Sequence, residues 1–309
     1  MDNQNEILNL LKEYNINYVL NNNTDNIFHG FGIGDLLFSI VSLENNIINS
    51  PINISLNFFL NQYYDGDRLI EWNTNMKEAL EFRLKLITDI CKHNKTINID
   101  NFCFILNENN KVYGNQFNLS IDYRLIKNYR MEIIDSFFNN YVNDSNNEEF
   151  IVFHTKLRLS RDYDYNKIKQ KLKEIFSILK IKNSKKIYLV GERIFKESHE
   201  GNIHNIQTIY DELIELNNNN KVIDLTIDEI YNSLNYENYK RDLSIINKAK
   251  WNIIIGHGGH LCSSLIFGNV IFFDPIDEIF FFDNRNLYNC GHRYFKRFEK
   301  FCQYLEFEL

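Results

Sequence analysis

Apolar residues recur along this chain with two periods, one helical and one extended, and the two alternate. Ile7-Leu8-Asn9-Leu10-Leu11 opens a short amphipathic helix, and a polar stretch follows to about Asn26. Leu36-Leu37-Phe38-Ser39-Ile40-Val41 reads as a helix with a face for a sheet. Ile52-Asn53-Ile54-Ser55-Leu56 alternates as a strand does. From Asn75 to Lys92 the apolar positions, Leu80, Leu84, Ile87 and Ile90 among them, keep helical spacing. Phe102-Cys103-Phe104-Ile105-Leu106 reads as a buried strand. The pattern from Ile126 to Tyr141 predicts a helix, and Asp144-Ser145-Asn146-Asn147-Glu148-Glu149 reads as a linker.

The second half is more regular. Strands are predicted at Phe150–His154, Lys186–Gly191, Val222–Leu225, Trp251–Ile255 and Val270–Phe273. Helices are predicted from Tyr165 to Leu179, from about Ile203 to Leu216, and after the His257-Gly258-Gly259-His260 turn. Strands alternating with helices predict a parallel sheet with crossover helices. The tail, His292 to Phe307, mixes aromatic and basic residues at helical spacing. The expected organisation is an N-terminal domain over 1–147, a C-terminal domain over 148–290, and a terminal helix within 291–309 packing back across the junction. The fold class is α/β: two Rossmann-like domains whose parallel sheets face a central cleft.

Composition narrows the function classes. With 309 residues, 44% hydrophobic and 15% aromatic, the chain has material for two cores, and its short asparagine tracts read as polar loops. A formal net charge of −7 argues against general nucleic-acid binding. Cys91, Cys103, Cys262, Cys290 and Cys302 form no CxxC pair, which suits reduced thiols. The opening residues Met1–Glu6 lack the basic and apolar regions of a signal peptide, and no apolar run reaches membrane-spanning length. A cytoplasmic protein is expected. Arg293, Lys296, Arg297 and Lys300 would give it peripheral membrane contact at most, and a solvated helix face is the plainer reading.

Four segments carry candidate chemistry. Gly30-Phe31-Gly32-Ile33-Gly34-Asp35 delivers a carboxylate at a strand-to-helix junction. Asp35 there could take a proton from an attacking hydroxyl, or simply interact with the helix dipole. The third glycine comes one position too early for the GxGxxG dinucleotide fingerprint. His154-Thr155-Lys156-Leu157-Arg158-Leu159-Ser160-Arg161 emerges from a strand with alternating cations suited to a departing diphosphate. Lys156, Arg158 and Arg161 could equally form surface ion pairs with Asp162 and Asp164. Glu192 follows a strand end, where it could accept from ribose hydroxyls or lie exposed in a loop. His257 and His260 bracket Gly258-Gly259, whose amides could form an anion nest.

Other chemistries fit less well. His257, His260 and Cys262 lack a second paired set of zinc ligands. Cys262 reads as a buried structural thiol, and Ser263-Ser264 lack the nucleophile elbow of a hydrolase. No metal and no tightly held cofactor is expected.

Three of these segments resemble the GT-B glycosyltransferases, most closely the heptosyltransferase-like group. Gly34-Asp35-Leu36-Leu37 resembles that family's N-terminal Gly-Asp-Val-Leu element. Gly258-Gly259-His260-Leu261-Cys262-Ser263-Ser264-Leu265, with Asn269–Pro275 after it, resembles the family's donor loop and following strand. Val190-Gly191-Glu192 resembles its ribose-contacting strand end. Where the family has Asp-Ser/Thr-Gly before the donor helix, this chain has Gly256-His257-Gly258. His154-Thr155-Lys156-Leu157-Arg158 is also similar to the His-x-Arg motif of GT-B fucosyltransferases, with Lys156 in place of that Arg.

The resemblance implies metal-independent, inverting transfer of a sugar from a nucleotide-diphosphate sugar to an acceptor hydroxyl. The acceptor would be a glycan, a lipid-linked species or a protein. Asp35 would be the base, with Gly32 and Gly34 in the acceptor-side loop. Lys156, Arg158, Arg161, His257, Gly258, Gly259 and His260 would hold the diphosphate, and Glu192 the nucleoside. The competing readings are a nucleotide-sugar epimerase or hydrolase, and a non-catalytic nucleotide- or sugar-binding module.

Overall fold

The computed structural model describes residues 2–21, 33–47, 54–59, 62–65, 68–71, 74–107, 128–138, 148–155, 165–182, 185–191, 194–196, 203–205, 211, 221–226, 235–256, 260–273 and 284–309. The chain divides into two compact units. One comprises Met1–Phe137 with Leu234–Tyr239, the other Phe138–Ser233 with Lys240–Leu309.

The first unit begins with helix Asp2–Glu13, strand β1 (Asn17–Asn21), helix Ile33–Ile47 and strand β2 (Ile54–Phe59). The pair β3 (Gln62–Asp65) and β4 (Arg68–Glu71), helix Thr74–His93 and strand β5 (Phe102–Asn107) follow. β1 and β2 both pair parallel with β5, in the order β1-β5-β2, and β3 and β4 pair antiparallel. Helix Ile33–Ile47 buries Leu36, Leu37, Phe38, Ile40, Val41 and Leu43, and Thr74–His93 buries Leu80, Leu84, Ile87 and Ile90 at the predicted helical spacing. Phe82 meets Tyr236 and Tyr239 edge-on, and the Tyr236 hydroxyl donates to Asp89 Oδ2 at 2.6 Å.

Two sequence expectations fail here. β1 lies where the sequence reads as a polar stretch, because three apolar residues flanked by asparagines give too short a signal. Residues 128–138, expected to be helical, are instead irregular, with one isolated bridge and a single 3₁₀ turn, Asp135–Phe137. Their backbone groups are taken by tertiary partners. The Asn128 carbonyl accepts from Asn45 Nδ2 at 3.0 Å, and Glu132 N donates to the Glu44 carboxylate at 3.2 Å. Ile134 N donates to the His93 carbonyl at 3.0 Å. A helix needs those donors for its own ladder.

The second unit carries a six-stranded sheet. Its strands are β6 (Phe150–Thr155), β7 (Lys186–Leu189), β10 (Val222–Asp224), β11 (Trp251–Ile255), β12 (Val270–Phe273) and β13 (Arg293–Phe295). They lie in the order β10-β7-β6-β11-β12-β13, all parallel. Counted along the chain within this sheet, that order is third, second, first, fourth, fifth, sixth, the Rossmann arrangement. A separate antiparallel pair, β8 (Ile194–Lys196) with β9 (Ile203–Asn205), shows that Ile203–Asn205 is extended rather than the start of a helix. Among the described residues, the Rossmann-like sheet is that of the second unit.

Alternation sorts the sheet's side chains onto two faces. Ile151, Phe153, Ile187, Leu189, Ile253, Ile255, Ile271 and Phe273 form one face, buried with Leu172, Ile175, Phe176 and Leu179 of helix Tyr165–Lys182. Phe301, Cys302 and Leu305 of helix Phe298–Glu308 belong to the same core. The register lines up Leu189, Phe153, Ile253 and Ile271 in one row across four strands. Each such side chain contributes about 1.5–3 kcal/mol by burial. The tail therefore completes this unit's core. It begins as strand β13, whose Tyr294 stacks on Phe272 at a 5.5 Å centroid distance, and turns helical only from Phe298. Val152, His154, Asn252 and Ile254 have the opposite parity. They face the side where Asn252 Nδ2 donates to the Ile246 carbonyl of helix Tyr236–Lys248.

Among the described residues, no helix is long and apolar enough to cross a membrane.

Candidate functional site

The order of the second unit's sheet reverses between β6 and β11. Open parallel sheets take ligands just outside their strands' carboxyl ends at such a point, because the crossovers diverge there and leave a crevice. Two glycines stand at this edge. Gly191, just past β7, has φ +87°, and Gly256, just past β11, has φ +80°. Left-handed backbone at both exits lets the chain turn sharply, in a conformation that residues with a Cβ rarely adopt.

Polar side chains are buried around the same edge. His154 is 1% exposed, His260 7% and Asp242 4%. They form one hydrogen-bonded chain. His154 Nδ1 lies 2.9 Å from the Val190 carbonyl, and His260 N donates to His154 Nε2 at 3.3 Å. His260 Nε2 is 2.9 Å from Asp242 Oδ2. Asp242 Oδ1 accepts from Arg241 Nη2 at 2.8 Å and Nε at 3.1 Å, and Arg241 Nη2 also donates to the Leu225 carbonyl at 2.8 Å. The network thus ties together the carboxyl ends of β6, β7 and β10 and the turn that leaves β11.

Acceptor chemistry fixes the protons. A carbonyl can only accept, so His154 carries its proton on Nδ1 and offers the Nε2 lone pair to His260 N–H. Burial alone would raise the Asp242 carboxyl, but the His260 hydrogen bond and charge and the Arg241 guanidinium outweigh it and hold the group below its ordinary value. Asp242 is a carboxylate, so His260 carries a proton on Nε2. The two rings, 5.3 Å apart and edge-on, thus carry these protons on opposite nitrogens.

His260 is the one predicted donor-site residue whose side chain the structure describes, and it sits in this network. Lys156, Arg158, Arg161, Glu192, His257, Gly258 and Gly259 lie outside the described residues. In sequence they follow the ends of three adjacent strands: Lys156 comes next after Thr155 of β6, Glu192 after Gly191, and His257 after Gly256. In the first unit, Gly34 and Asp35 are the second and third residues of helix Ile33–Ile47, so Gly34 belongs to the helix rather than to the loop before it. Gly32 and the Asp35 side chain lie outside the described residues. Among the described residues, no three His, Cys, Asp or Glu side chains converge as metal ligands would.

Sequence reasoning missed Arg241 and Asp242. On a helix that also carries Glu237, Lys240 and Lys248, an Arg-Asp pair reads as solvated surface, and nothing in the local pattern marks it as buried. His154 did carry a signal, as the polar residue that directly follows the apolar run Phe150–Phe153.

The chain matches no protein-family model, no curated protein and no solved structure.

Proposed function

We propose that the chain is a glycosyltransferase of the GT-B type whose second unit binds a nucleotide-diphosphate sugar. The observation that carries this reading is the reversal of strand order between β6 and β11, with Gly191 and Gly256 in left-handed backbone at the adjoining strand exits. Left-handed glycine backbone at strand exits beside a switch point suits a ligand whose phosphates approach backbone amides closely.

The sequence supplies the rest of the assignment. Lys156, Arg158 and Arg161 leave β6, the first strand of the sheet, where their charge would stabilise the departing nucleoside diphosphate. Glu192 leaves the second strand and would accept from the ribose hydroxyls. The segment His257–His260 leaves the fourth and would hold the diphosphate through its amides. In the finer reading, the first unit is a second Rossmann-like domain that holds the acceptor, and Asp35 deprotonates the attacking hydroxyl. The new glycosidic bond then forms as the bond to the diphosphate breaks, with inversion at the anomeric carbon.

The test is a panel of UDP, GDP, ADP, CDP and dTDP, measured by thermal shift and calorimetry on wild type and on Lys156→Ala/Arg158→Ala. One nucleotide stabilising the wild type, with the effect lost in the variant, is the expected result. Binding of none of the five would sink the donor-site assignment. Asp35→Asn retaining full transfer activity would remove the base.

A further inference from the structure

We propose that His154 is a positioning residue for the switch-point mouth and works only as the neutral, Nδ1-protonated imidazole. Protonation of Nε2 releases the turn that enters helix Leu261–Phe267, and ligand binding is lost as pH falls. The nucleotide part of this inference rests on the function proposed above.

Both nitrogens of His154 are engaged in bonds of opposite sense. Nδ1–H donates to the Val190 carbonyl at 2.9 Å, and Nε2 accepts from His260 N–H at 3.3 Å. A second proton would set N–H against N–H at that 3.3 Å contact, on a ring that is 1% exposed. The strain falls on the His260 backbone, where the chain enters the helix.

Among the described residues, the titratable and charged groups facing His154 come from two elements. From the turn comes His260, its ring 5.3 Å away. From helix Tyr236–Lys248 come Asp242 and, behind it, Arg241. The β7 side presents the Val190 carbonyl and Gly191, and on β11 the residue in register is Ile254, none of which ionises. Asp242 is engaged by His260 and Arg241, so its carboxylate is not directed at the His154 ring.

The experiment follows the His154 ring by NMR with labelled histidine, and the protection factor of the His260 amide by hydrogen exchange, from about pH 8 to about pH 5, where imidazoles titrate. His154 should start as the Nδ1–H tautomer. His260 protection should drop about tenfold as the ring protonates, as for one lost hydrogen bond. In His154→Gln the side-chain amide can donate to Val190 and accept from His260 without titrating, so protection should stay level.

An Nε2–H tautomer, a ring that stays neutral until the protein unfolds, or protection indifferent to its titration would each overturn the proposal. Should His154→Gln fail to fold, the wild-type titration decides alone. In the same buffers, nucleoside diphosphate affinity should fall with His154 protonation in the wild type. Affinity that stays level while protection falls overturns the link to binding. A wild type that binds none of the five nucleotides at any pH removes the nucleotide reading, and the positioning role of His154 is then decided by His260 protection alone.

Discussion

Gly191 lies against the ring of His154 so closely that a Cβ there would stand 2.5 Å from Cε1 and 2.7 Å from Nδ1. The glycine also has φ +87°, a conformation that L side chains rarely adopt. Gly191→Ala therefore combines a backbone penalty with a clash against a buried ring held by two hydrogen bonds. A loss of about 2–4 kcal/mol is expected in chemical denaturation. The ring has to yield, so the His154–Val190 bond should weaken with it. A variant as stable as the wild type would mean that the ring is not fixed in this position.

Glu44 is buried in the first unit, where it accepts from Asn94 Nδ2 at 2.7 Å and from Glu132 N at 3.2 Å. Burial raises its carboxyl above the ordinary 4.5, and the hydrogen bonds from Asn94 and Glu132 N offset this only in part. A folded value above the unfolded one favours the protonated form. This group's contribution is therefore full below about pH 4.5 and is lost as pH rises through the folded value. Glu44→Gln should flatten that slope, gaining on the wild type between mildly acidic and neutral pH. Glu44→Ala leaves two donors unpaired and should cost about 1–3 kcal/mol. Urea melts of the three proteins across that pH range test both statements.

Cys91 and Cys302 are pushed up to about 12 by burial, so neither is a thiolate at neutral pH. Iodoacetamide should leave both unmodified in the folded protein and label them after denaturation, as read by peptide mass spectrometry. Labelling of Cys302 in the native state would place helix Phe298–Glu308 outside the core.

What the sequence made legible follows from how local each signal is. The strands around Ile151, Ile187, Ile253 and Ile271 could be read because runs of buried β-branched residues lie between clear helices, and their alternation implied the parallel sheet. β13 could not, because Arg293-Tyr294-Phe295 is three residues long and becomes a strand by pairing with β12. Residues 128–138 fail for a related reason: an apolar spacing that fits a helix is overridden by Glu44 and His93, distant in sequence. At the site, glycines and histidines next to strand ends announced themselves. Asp242 did not, since its role depends on a partner, His260, 18 residues away.

That partnership gives the last prediction. Asp242 joins His260 Nε2 at 2.9 Å to Arg241 Nη2 at 2.8 Å, and its side chain is 6% exposed. Asp242→Ala leaves the His260 N–H buried without its acceptor and strips Arg241 of its carboxylate, so a loss of about 3 kcal/mol at neutral pH is expected. The pH dependence has the opposite sign to that of Glu44. The His260 and Arg241 contacts overcome burial and hold the carboxyl below 3.8, so its stabilisation is present above that value and is lost as pH falls through the lower folded one. The gap between wild type and Asp242→Ala should therefore be widest at neutral pH and close in acid, where the wild type loses the same bond by protonation. Denaturant titrations of both proteins at stepped pH measure that gap. A gap constant down to the most acid step would mean that Asp242 contributes through packing rather than as the carboxylate between His260 and Arg241.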